Sequence, residues 1–502
     1  MPKSSRIIEN IKSVILVVLL IKTILLLYFV WGDFSLRADT GGNERLHVAV
    51  DPIEMFQPSR LEVSFGGGVH TVITDTNEKF ALLMDCFRTF SIGRSLAVEE
   101  LRLDGRPVGD FLFQEIKRTP SITAVFDYFL PFSALIELYG FDRISGADNI
   151  VAISEVTHVF GRDHELFVRD AYSGRYFSIS GARVECFARL RDALPDRPTP
   201  SEIHMQVTAL AGILNNTLWP ISPESNLHDI SFSRENFFLQ ENETSSVAKD
   251  FFGGNLNFVR RIIEQNGAIK YIYGYGEIVL LVHPGGRIEY TRAASITNRR
   301  NAQIGYLDAF EKANAFIARH GGVFADEEVA VAPYLTKVLQ ISQNGLDGFR
   351  FVFGIRIGDG RVHFQSGDAM IIEVLPSGVS YFQKHMINID VNQAITSQRQ
   401  NRHVFFPISN LIAHNEEYVR DVLIGLNRIV ARYGSLDTAE EQDTIFQLLV
   451  TNVTRLESGY VKIDEEENVL KAAWILTIAG VDFYFEIEDG YPLGYRIQSS
   501  II

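Results

Sequence analysis

The chain has 502 residues, of which 46% are hydrophobic and 22% charged, and its formal net charge is −15. This length suggests about two to four domains, and the apolar content excludes a mainly disordered protein. Nucleic acid is not expected as a ligand, because phosphate binding needs a basic patch and none stands out in the sequence.

The first element in chain order is an apolar run from Val14 to Trp31, in which Lys22 is the single charge. As a helix this run would be about 27 Å long, close to the roughly 30 Å hydrocarbon core of a bilayer. We therefore expect residues 13–31 to be a transmembrane anchor and residues 1–12 to be a short cytoplasmic tail.

The charges around this run predict its orientation. The basic residues Lys3, Arg6 and Lys12 precede it, so the positive-inside rule places the bulk of the chain outside the cytoplasm. A cleaved signal peptide is the alternative, but its apolar core is normally about 7–15 residues and ends at a small-residue cleavage site. The nearest candidate for such a cleavage site, Ala38, follows a leucine and an arginine and makes a poor site. An uncleaved anchor is the preferred interpretation.

Lys22 lies near the middle of the predicted membrane helix, where an ionisable side chain costs about 2.5–3.5 kcal/mol. One interpretation is that Lys22 pairs with another membrane helix. Its helical neighbours would share that contact: Val18, Leu19, Leu25 and Leu26. The alternative is that its long side chain reaches the nearer interface. The neighbours lack a small-xxx-small pattern, and both interpretations stay open.

Residues 32–245 are expected to form an N-terminal extracytoplasmic α+β domain. Short alternating runs predict strands at Arg60–Phe65, Ser121–Phe126 and Ile150–His158. Helical spacing occurs at Asn77–Phe90, and the stretch Pro195–Thr244 is polar and rich in turn residues.

Residues 246–395 are expected to form a middle domain. A short helix is predicted over Asn257–Gln265, followed by a strand pair, Ile269–Val282 and Arg287–Arg292, around a Pro-Gly-Gly turn. An apolar stripe predicts a longer helix over Gly305–His320. Four strands are expected after it: Lys337–Gln343, Phe349–Ile357, Val362–Phe364 and Met370–Pro376.

Residues 396–502 are expected to form a C-terminal domain with the same order of elements. Helices are predicted over Asn410–Tyr433 and Thr438–Thr451, before strands at Gly459–Ile463, Ala473–Ile478 and Val481–Glu488. The shared order suggests that the middle and C-terminal domains are duplicated. The predicted fold class is α+β: one N-terminal transmembrane helix, then several extracytoplasmic domains of helices packed on antiparallel sheets.

No catalytic motif is present. The sequence lacks a nucleophile elbow and a phosphate loop. The best metal-like cluster is His158, Asp163, His164 and Glu165, which is predicted to be strand, glycine turn and strand rather than a helix presenting two histidines. We interpret it as a polar turn. We therefore predict a protein that is not an enzyme, with no cofactor and no metal.

Four other features have structural interpretations. The acidic run Asp464–Asn468 is expected to be a solvated hairpin loop, and His414 an ordinary surface or cap residue. Cys86 and Cys186 have the apolar neighbours of buried thiols, and their pairing stays open. Trp474 is expected to be a core residue whose indole N–H finds a partner.

Two parts of the second half resemble the YycH family. The first comprises Phe251-Phe252-Gly253-Gly254, Val259-Arg260-Arg261, Tyr271–Leu281, Ile288-Glu289-Tyr290 and the helix Ala309–Gly322. The second is similar to the C-terminal domain shared by YycH and YycI proteins, and comprises Ser458-Gly459-Tyr460, Leu470–Trp474 and Phe483-Tyr484-Phe485 before Asp489-Gly490. The match covers about residues 250–500. Gly274-Tyr275-Gly276 and Ala472 depart from the family pattern, which usually has an aspartate and a proline there.

This resemblance implies a membrane-anchored, extracytoplasmic, non-enzymatic regulator. Its partner would be a bacterial sensor histidine kinase of a two-component system that controls the cell wall, restrained partly through the transmembrane helix. A YycI-like sister protein is a further candidate partner. The alternative is an anchored cell-envelope enzyme or carbohydrate-binding protein, which would need a cleft with exposed aromatic residues and a close carboxylate pair.

Overall fold

A computed structural model describes Lys22 and, with short gaps, most of the chain from residue 58 onward. The described ranges are 58–67, 69–73, 95–109, 113, 116–139, 143–162, 165–180, 191–192, 204–206, 218–220, 227–233, 241–253, 256–284, 286–293, 302–320, 331–357, 360–365, 367–385, 388–389, 405–428, 446–463 and 469–498. Lys22 is helical and exposed, and the rest of the predicted anchor lies outside these ranges. Within them, no helix has the length and apolar character that a membrane crossing requires.

Strand is the dominant secondary structure, at 53% against 22% helix. The predicted α+β fold of helices packed on antiparallel sheets is therefore wrong. The described part of the chain is mostly β, in two large sheets whose neighbours are mainly antiparallel.

The first sheet is built from the N-terminal part of the chain. Its elements, with a small separate ribbon of β4 and β5, are β1 (Arg60–Gly66), β2 (Val69–Ile73), β3 (Ser95–Glu100), β4 (Arg102–Leu103), β5 (Arg106–Pro107), β6 (Ser121–Pro131), α1 (Phe132–Tyr139), β7 (Arg143–Ser145), β8 (Ala152–Val159), β9 (Glu165–Asp170), β10 (Tyr176–Ser180), β11 (His204–Gln206) and β12 (Leu218–Pro220). The strand order is β12-β11-β2-β1-β6-β8-β9-β10-β3-β7.

The alternating apolar and polar runs predict three strands of this sheet correctly. β1, β6 and β8 confirm the three predicted strands, and β6 extends five residues further, to Pro131. The predicted helix Asn77–Phe90 lies outside the described residues. The stretch Pro195–Thr244 contains short strands that its polar composition did not indicate.

The second sheet contains the remaining strands. Its elements are β13 (Ile230–Ser233), α2 (Glu241–Phe252), β14 (Arg260–Ile263), β15 (Ile269–Tyr273), β16 (Ile278–Val282), β17 (Arg287–Arg292), β18 (Ala302–Gln303), α3 (Tyr306–Arg319), β19 (Val331–Gln343), β20 (Leu346–Ile357), β21 (Gly360–Phe364), β22 (Met370–Leu375), β23 (Gly378–His385), β24 (Asn388–Ile389), α4 (Ile408–His414), α5 (Glu416–Gly425), β25 (Val453–Lys462), β26 (Val469–Ile478), β27 (Val481–Glu486) and β28 (Pro492–Ile497).

These strands form one 16-stranded sheet. Its main order is β14-β15-β16-β17-β23-β22-β20-β21-β25-β26-β13-β24, with β18 and β19 on β20 and β27 between β26 and β28. The parallel pairing of β21 with β25 joins the predicted middle and C-terminal domains through their backbones. The two predicted units therefore share one sheet. The predicted boundaries at residues 245 and 395 stay predictions.

α3 confirms the predicted helix Gly305–His320 to within one residue at each end. Its buried residues recur at helical spacing: Tyr306, Ala309, Phe310, Ala313 and Ile317. They pack on β20 and β22, where the Phe310 and Phe351 rings meet edge to face at 5.5 Å between centroids. This contact belongs to a large core that continues into the first sheet.

Two predicted elements in the middle unit were wrong. The predicted helix Asn257–Gln265 contains strand β14, whose Arg260 and Ile263 pair with Ile272 and Ile269 of β15. Val259 and Ile263 have helical spacing, but hairpin pairing with β15 overrides this local pattern. The predicted single strand Ile269–Val282 is two strands, because Gly274, Tyr275 and Gly276 all have positive φ and form a 3-10 turn.

The predicted helix Asn410–Tyr433 is broken at Asn415 into α4 and α5. The Asn415 side chain donates hydrogen bonds to the carbonyl oxygens of Leu411 (3.1 Å) and Gly490 (2.9 Å). This ties the break to the turn after β27. Of the predicted helix Thr438–Thr451, residues 446–451 are described and helical.

Trp474 is 1% exposed, which confirms its predicted place in the C-terminal core. Its indole nitrogen finds no hydrogen-bond partner among the described residues. The predicted hydrogen-bond partner was therefore wrong. Trp474 lies in an apolar core, where the free energy gained by burying the indole ring outweighs the cost of leaving its N–H unpaired.

Candidate functional site: a buried charge network and an aromatic groove

The two sheets meet at a buried charge network centred on Arg361. β6 of the first sheet contacts β19 of the second. Here Arg361, on β21, donates from Nη1 to Oδ2 of Asp127, on β6, and lies 3.5 Å from Oε2 of Glu457, on β25. Three chain segments that are far apart in sequence are therefore joined by one guanidinium, whose side chain is 8% exposed.

The network continues on both sides of Arg361. On the first sheet, Arg60 Nη1 lies 3.3 Å from Oδ1 of Asp127. On the second sheet, Glu457 lies 3.2 Å from Nε2 of His363 and 3.6 Å from Nε of Arg455. Arg455 Nη2 also lies 3.0 Å from Oδ1 of Asp482. Each carboxylate of the network is therefore in contact with at least one cation.

Tyr334 supports the network from β19. Its cross-strand partner is Gly354 on β20, and any β-carbon there would lie within 2.6–2.8 Å of the tyrosine ring. The glycine thus allows the ring to lie across the strand. The guanidinium carbons of Arg356 and Arg361, which are directly opposite each other on β20 and β21, are 5.1 and 5.2 Å from the ring centroid. The ring's π face offsets part of the repulsion between them.

The arginines hold the buried carboxylates ionised. Burial alone would raise the pKa of Glu457, but Arg361, Arg455 and a hydrogen bond from His363 outweigh burial and keep that pKa well below its ordinary value. The pKa of Asp127 is lowered in the same way, against burial, by Arg361 and Arg60. Burial raises the pKa of Tyr334 to about 12. At neutral pH Asp127 and Glu457 are therefore fixed negative charges, held by fixed positive charges on the arginines.

A second feature is a groove between α5 and the terminal strand β28. It has a volume of about 740 Å³. Its apolar wall consists of Tyr418, Val422, Leu426 and Tyr495, and its rim carries His414, Glu417 and Asp421. The groove exists because α5 covers β27 and stops short of β28. The Tyr418 ring meets Phe483 and Phe485 of β27 at 6.1 and 6.4 Å, whereas Tyr495 of β28 stays 38% exposed.

The carboxylates on the groove rim differ from those of the network in exposure. The side chains of Glu417 and Asp421 are 87% and 62% exposed. Arg420 reaches both, at 3.8 and 3.0 Å. A cation therefore lies beside both rim acids, which is unlike the acid–base carboxylate pair that the envelope-enzyme alternative requires.

The turn next to the groove contains a different pair of acids. Glu486 has a raised pKa because of burial and the neighbouring charge of Asp489. Asp489 accepts a hydrogen bond from the backbone N–H of Tyr491 at 3.0 Å, as part of the tight turn into β28. Neither acid lines the groove.

The structure leaves most predicted site residues untested. Of the predicted membrane-helix contacts only Lys22 is described, and Val18, Leu19, Leu25 and Leu26 lie outside the described residues. The same holds for Cys86, Cys186 and the run Asp464–Asn468.

Of the metal-like cluster, His158 and Glu165 are described, and Asp163 and His164 are not. His158 is 2% exposed on β8, with its Nδ1 3.4 Å from the Glu165 carbonyl oxygen. The described residues contain no group of three or more His, Cys, Asp or Glu residues that could hold a metal ion.

The sequence predicted neither the network nor the groove. A usable signal for the network was a lone charged residue inside an apolar strand, such as Asp127 in the β6 run Ser-Ile-Thr-Ala-Val-Phe-Asp. The pairing itself was invisible, because Asp127 and Arg361 are 234 residues apart. The groove depends on β28, which lies beyond the last predicted strand.

The comparisons with known proteins concern the fold. No protein-family model matches the sequence, and no curated protein matches it. Among solved structures, the crystal structure of YycH from Bacillus subtilis is similar, with a TM-score of 0.53 and 10% sequence identity over 89% of this chain and 98% of that chain. The predicted resemblance is therefore confirmed for the fold: the chain has a YycH-like fold.

Proposed function

We propose that the protein is a membrane-anchored, non-enzymatic regulator of a sensor histidine kinase in a two-component system that controls the bacterial cell wall. The observation that supports this most is the YycH-like fold, since the match extends over nearly all of both chains. A YycI-like sister protein is a further candidate partner.

The proposed location follows from the sequence. The apolar run Val14–Trp31 would cross the membrane once, with the N-terminus in the cytoplasm and the folded body outside. In that body the basic residues number 43 and the acidic residues 61, once the four basic and one acidic residue of the first 31 are set aside. The exported part would thus have a net charge of −18.

The proposed mechanism places the control in the membrane. One face of the anchor helix, with Lys22, Val18, Leu19, Leu25 and Leu26, would pack against a kinase transmembrane helix. A kinase with two conformations responds only if the regulator binds one of them more tightly, and a few kcal/mol of differential affinity shifts the population substantially. The charge network would keep the two exported sheets in one fixed arrangement relative to each other.

Photo-crosslinking tests the helix contact. A benzophenone amino acid replaces Leu26 in the full-length chain, co-expressed with the sensor kinase, and adducts are identified by mass spectrometry. The matched control carries the same group at Ile24, which would point to the opposite side of an ideal helix. We expect kinase adducts from Leu26 and few from Ile24. Recovery of only self-adducts from Leu26, in a protein that still regulates, would contradict the proposal.

A further inference from the structure

We propose that the groove between α5 and β28 binds an extended peptide segment of another protein, with large apolar side chains at alternate positions and a lysine or arginine beside them. This inference goes beyond the proposed function, because it assigns a ligand class to a site without depending on the kinase or on the anchor helix.

The backbone of β28 can accept an added strand. The N–H of Gln498 donates to the carbonyl oxygen of Gly480, and the antiparallel register continues through Ile497 opposite Val481 and Tyr495 opposite Phe483. Hydrogen-bonded and non-bonded pairs alternate in such a ladder, so the N–H and C=O groups of Tyr495 and Ile497 point away from β27. In the described part of the chain, β28 pairs with β27 alone. These groups therefore form a free edge for strand addition.

Tyr495 lines the groove, and Ile497 lies on the same sheet face of that edge, next to the lining. Tyr495 and Ile497 share a sheet face with their cross-strand partners Phe483 and Val481, which belong to the C-terminal core. They are nevertheless 38% and 46% exposed, because α5 does not reach over them. Alternate residues of an added strand would face the same side and enter the space under α5. A volume of about 740 Å³ is within the range of small-ligand pockets and holds more than one side chain.

The rim selects the charge of the segment. Glu417 and Asp421 are four residues apart on α5, and both carboxylates are largely exposed at the mouth of the groove. Among the described residues their shared ion-pair partner is Arg420, so that within this part of the chain two negative charges face one positive charge. The acidic rim would repel segments with acidic side chains and attract segments with basic side chains. An acidic or purely apolar occupant fits this rim less well.

Peptide selection tests the inference directly. A random dodecapeptide library displayed on phage is selected on the full-length chain in lipid nanodiscs, and selected peptides are titrated by fluorescence anisotropy. We expect alternating apolar residues with lysine or arginine. Binding should weaken by about tenfold in the double variant Glu417→Lys with Asp421→Lys, and should weaken with added salt. The matched control, Glu311→Lys on the exposed side of α3, should bind as the wild type does.

A second variant tests the strand addition itself. Ile497→Pro removes an N–H that points outward and leaves the bonds between β28 and β27 in place. This variant should bind the same peptides about tenfold more weakly, while its melting temperature stays within a few degrees of the wild-type value. Peptides without basic residues, or peptides that bind both variants as tightly as the wild type, would overturn the inference. So would self-association of the chain that the same variants abolish, because the occupant would then be a second copy.

Discussion

The sheet junction and the groove are built from the same residue types and differ in exposure. At the junction, Arg361 is 8% exposed and joins carboxylates from two sheets under the ring of Tyr334. At the groove, arginine, carboxylates and tyrosines meet again, but the Glu417 side chain is 87% exposed. Buried charges are costly unless fully paired, whereas exposed charges contribute little to stability and remain available to partners. The difference indicates that the junction fixes the arrangement of the fold and that the groove is available for binding.

The largest expected effect is the loss of Arg361. Arg361→Met leaves Asp127 and Glu457 largely buried without their shared cation, which should cost about 3–5 kcal/mol of unfolding free energy. The matched control is Arg420→Met at the groove, which removes a cation from two exposed carboxylates and should cost less than about 1 kcal/mol. Urea denaturation of both variants measures the difference. Equal losses would show that exposure does not distinguish the two regions.

A smaller effect is expected from acid. The pKa of Glu457 is lower in the folded state than in the unfolded chain, so its contribution to stability is present above about pH 4.5 and is lost as pH falls through the folded pKa. Each unit of lowered pKa corresponds to about 1.4 kcal/mol. The variant Glu457→Gln should therefore be less stable at pH 7 and should lose less stability than the wild type below pH 4.5. Unfolding free energies from pH 7 to pH 3 test this.

Buried histidines should affect stability at a higher pH than the buried carboxylates of the network do. Burial, with the nearby Lys462 and Arg287, lowers the pKa of His385 to about 3. The unfolded chain then binds a proton below about pH 6.5 that the folded chain does not, so stability falls as pH decreases from that value. This histidine should contribute a loss of about 1.4 kcal/mol between pH 7.5 and 5.5.

Two substitutions isolate that contribution. His385→Leu should reduce the slope of stability against pH between pH 7.5 and 5.5, and His320, whose pKa burial also lowers to about 3, should keep part of that slope. The control is Phe382→Leu on the same strand, β23, which removes a buried ring without a titratable group and should leave the slope unchanged. An unchanged slope in His385→Leu would mean that burial of this imidazole does not govern the acid sensitivity.

The smallest effect is expected at the groove rim. Asp421→Asn removes a largely exposed charge and should change the unfolding free energy by less than about 0.5 kcal/mol. The same substitution should measurably weaken the binding of cationic peptides. A loss of several kcal/mol would instead place Asp421 in the structural part of the molecule.

The periodicity of apolar residues predicted the helices and strands whose packing depends mainly on their own sequence. α3 is amphipathic in sequence and lies on a sheet. β1, β6 and β8 alternate apolar and polar residues in sequence and are strands, although β6 and β8 are largely buried on both faces. The prediction failed where a distant partner decides the outcome. β14 is a strand because β15 pairs with it, and the helix before α5 stops because Asn415 bonds to Gly490.

The candidate sites were harder to predict than the fold. The network needs the register of β6, β21 and β25 relative to each other, and a single sequence does not encode that register in a readable form. A buried Arg361 and a solvated arginine look the same in sequence. The groove arises because α5 does not cover β28. The sequence of β28 or of α5 alone does not show where the helix will lie on the sheet.

The most direct test of the central claim is kinase autophosphorylation in a reconstituted bilayer. The sensor kinase of the cell-wall two-component system is measured alone, with the full-length chain, and with a chain whose residues 1–31 are replaced by an unrelated single-pass anchor. We predict that the full-length chain changes the rate and that the anchor-swapped chain changes it much less. No change with the full-length chain, or the same change with the swapped anchor, would contradict control through the membrane helix.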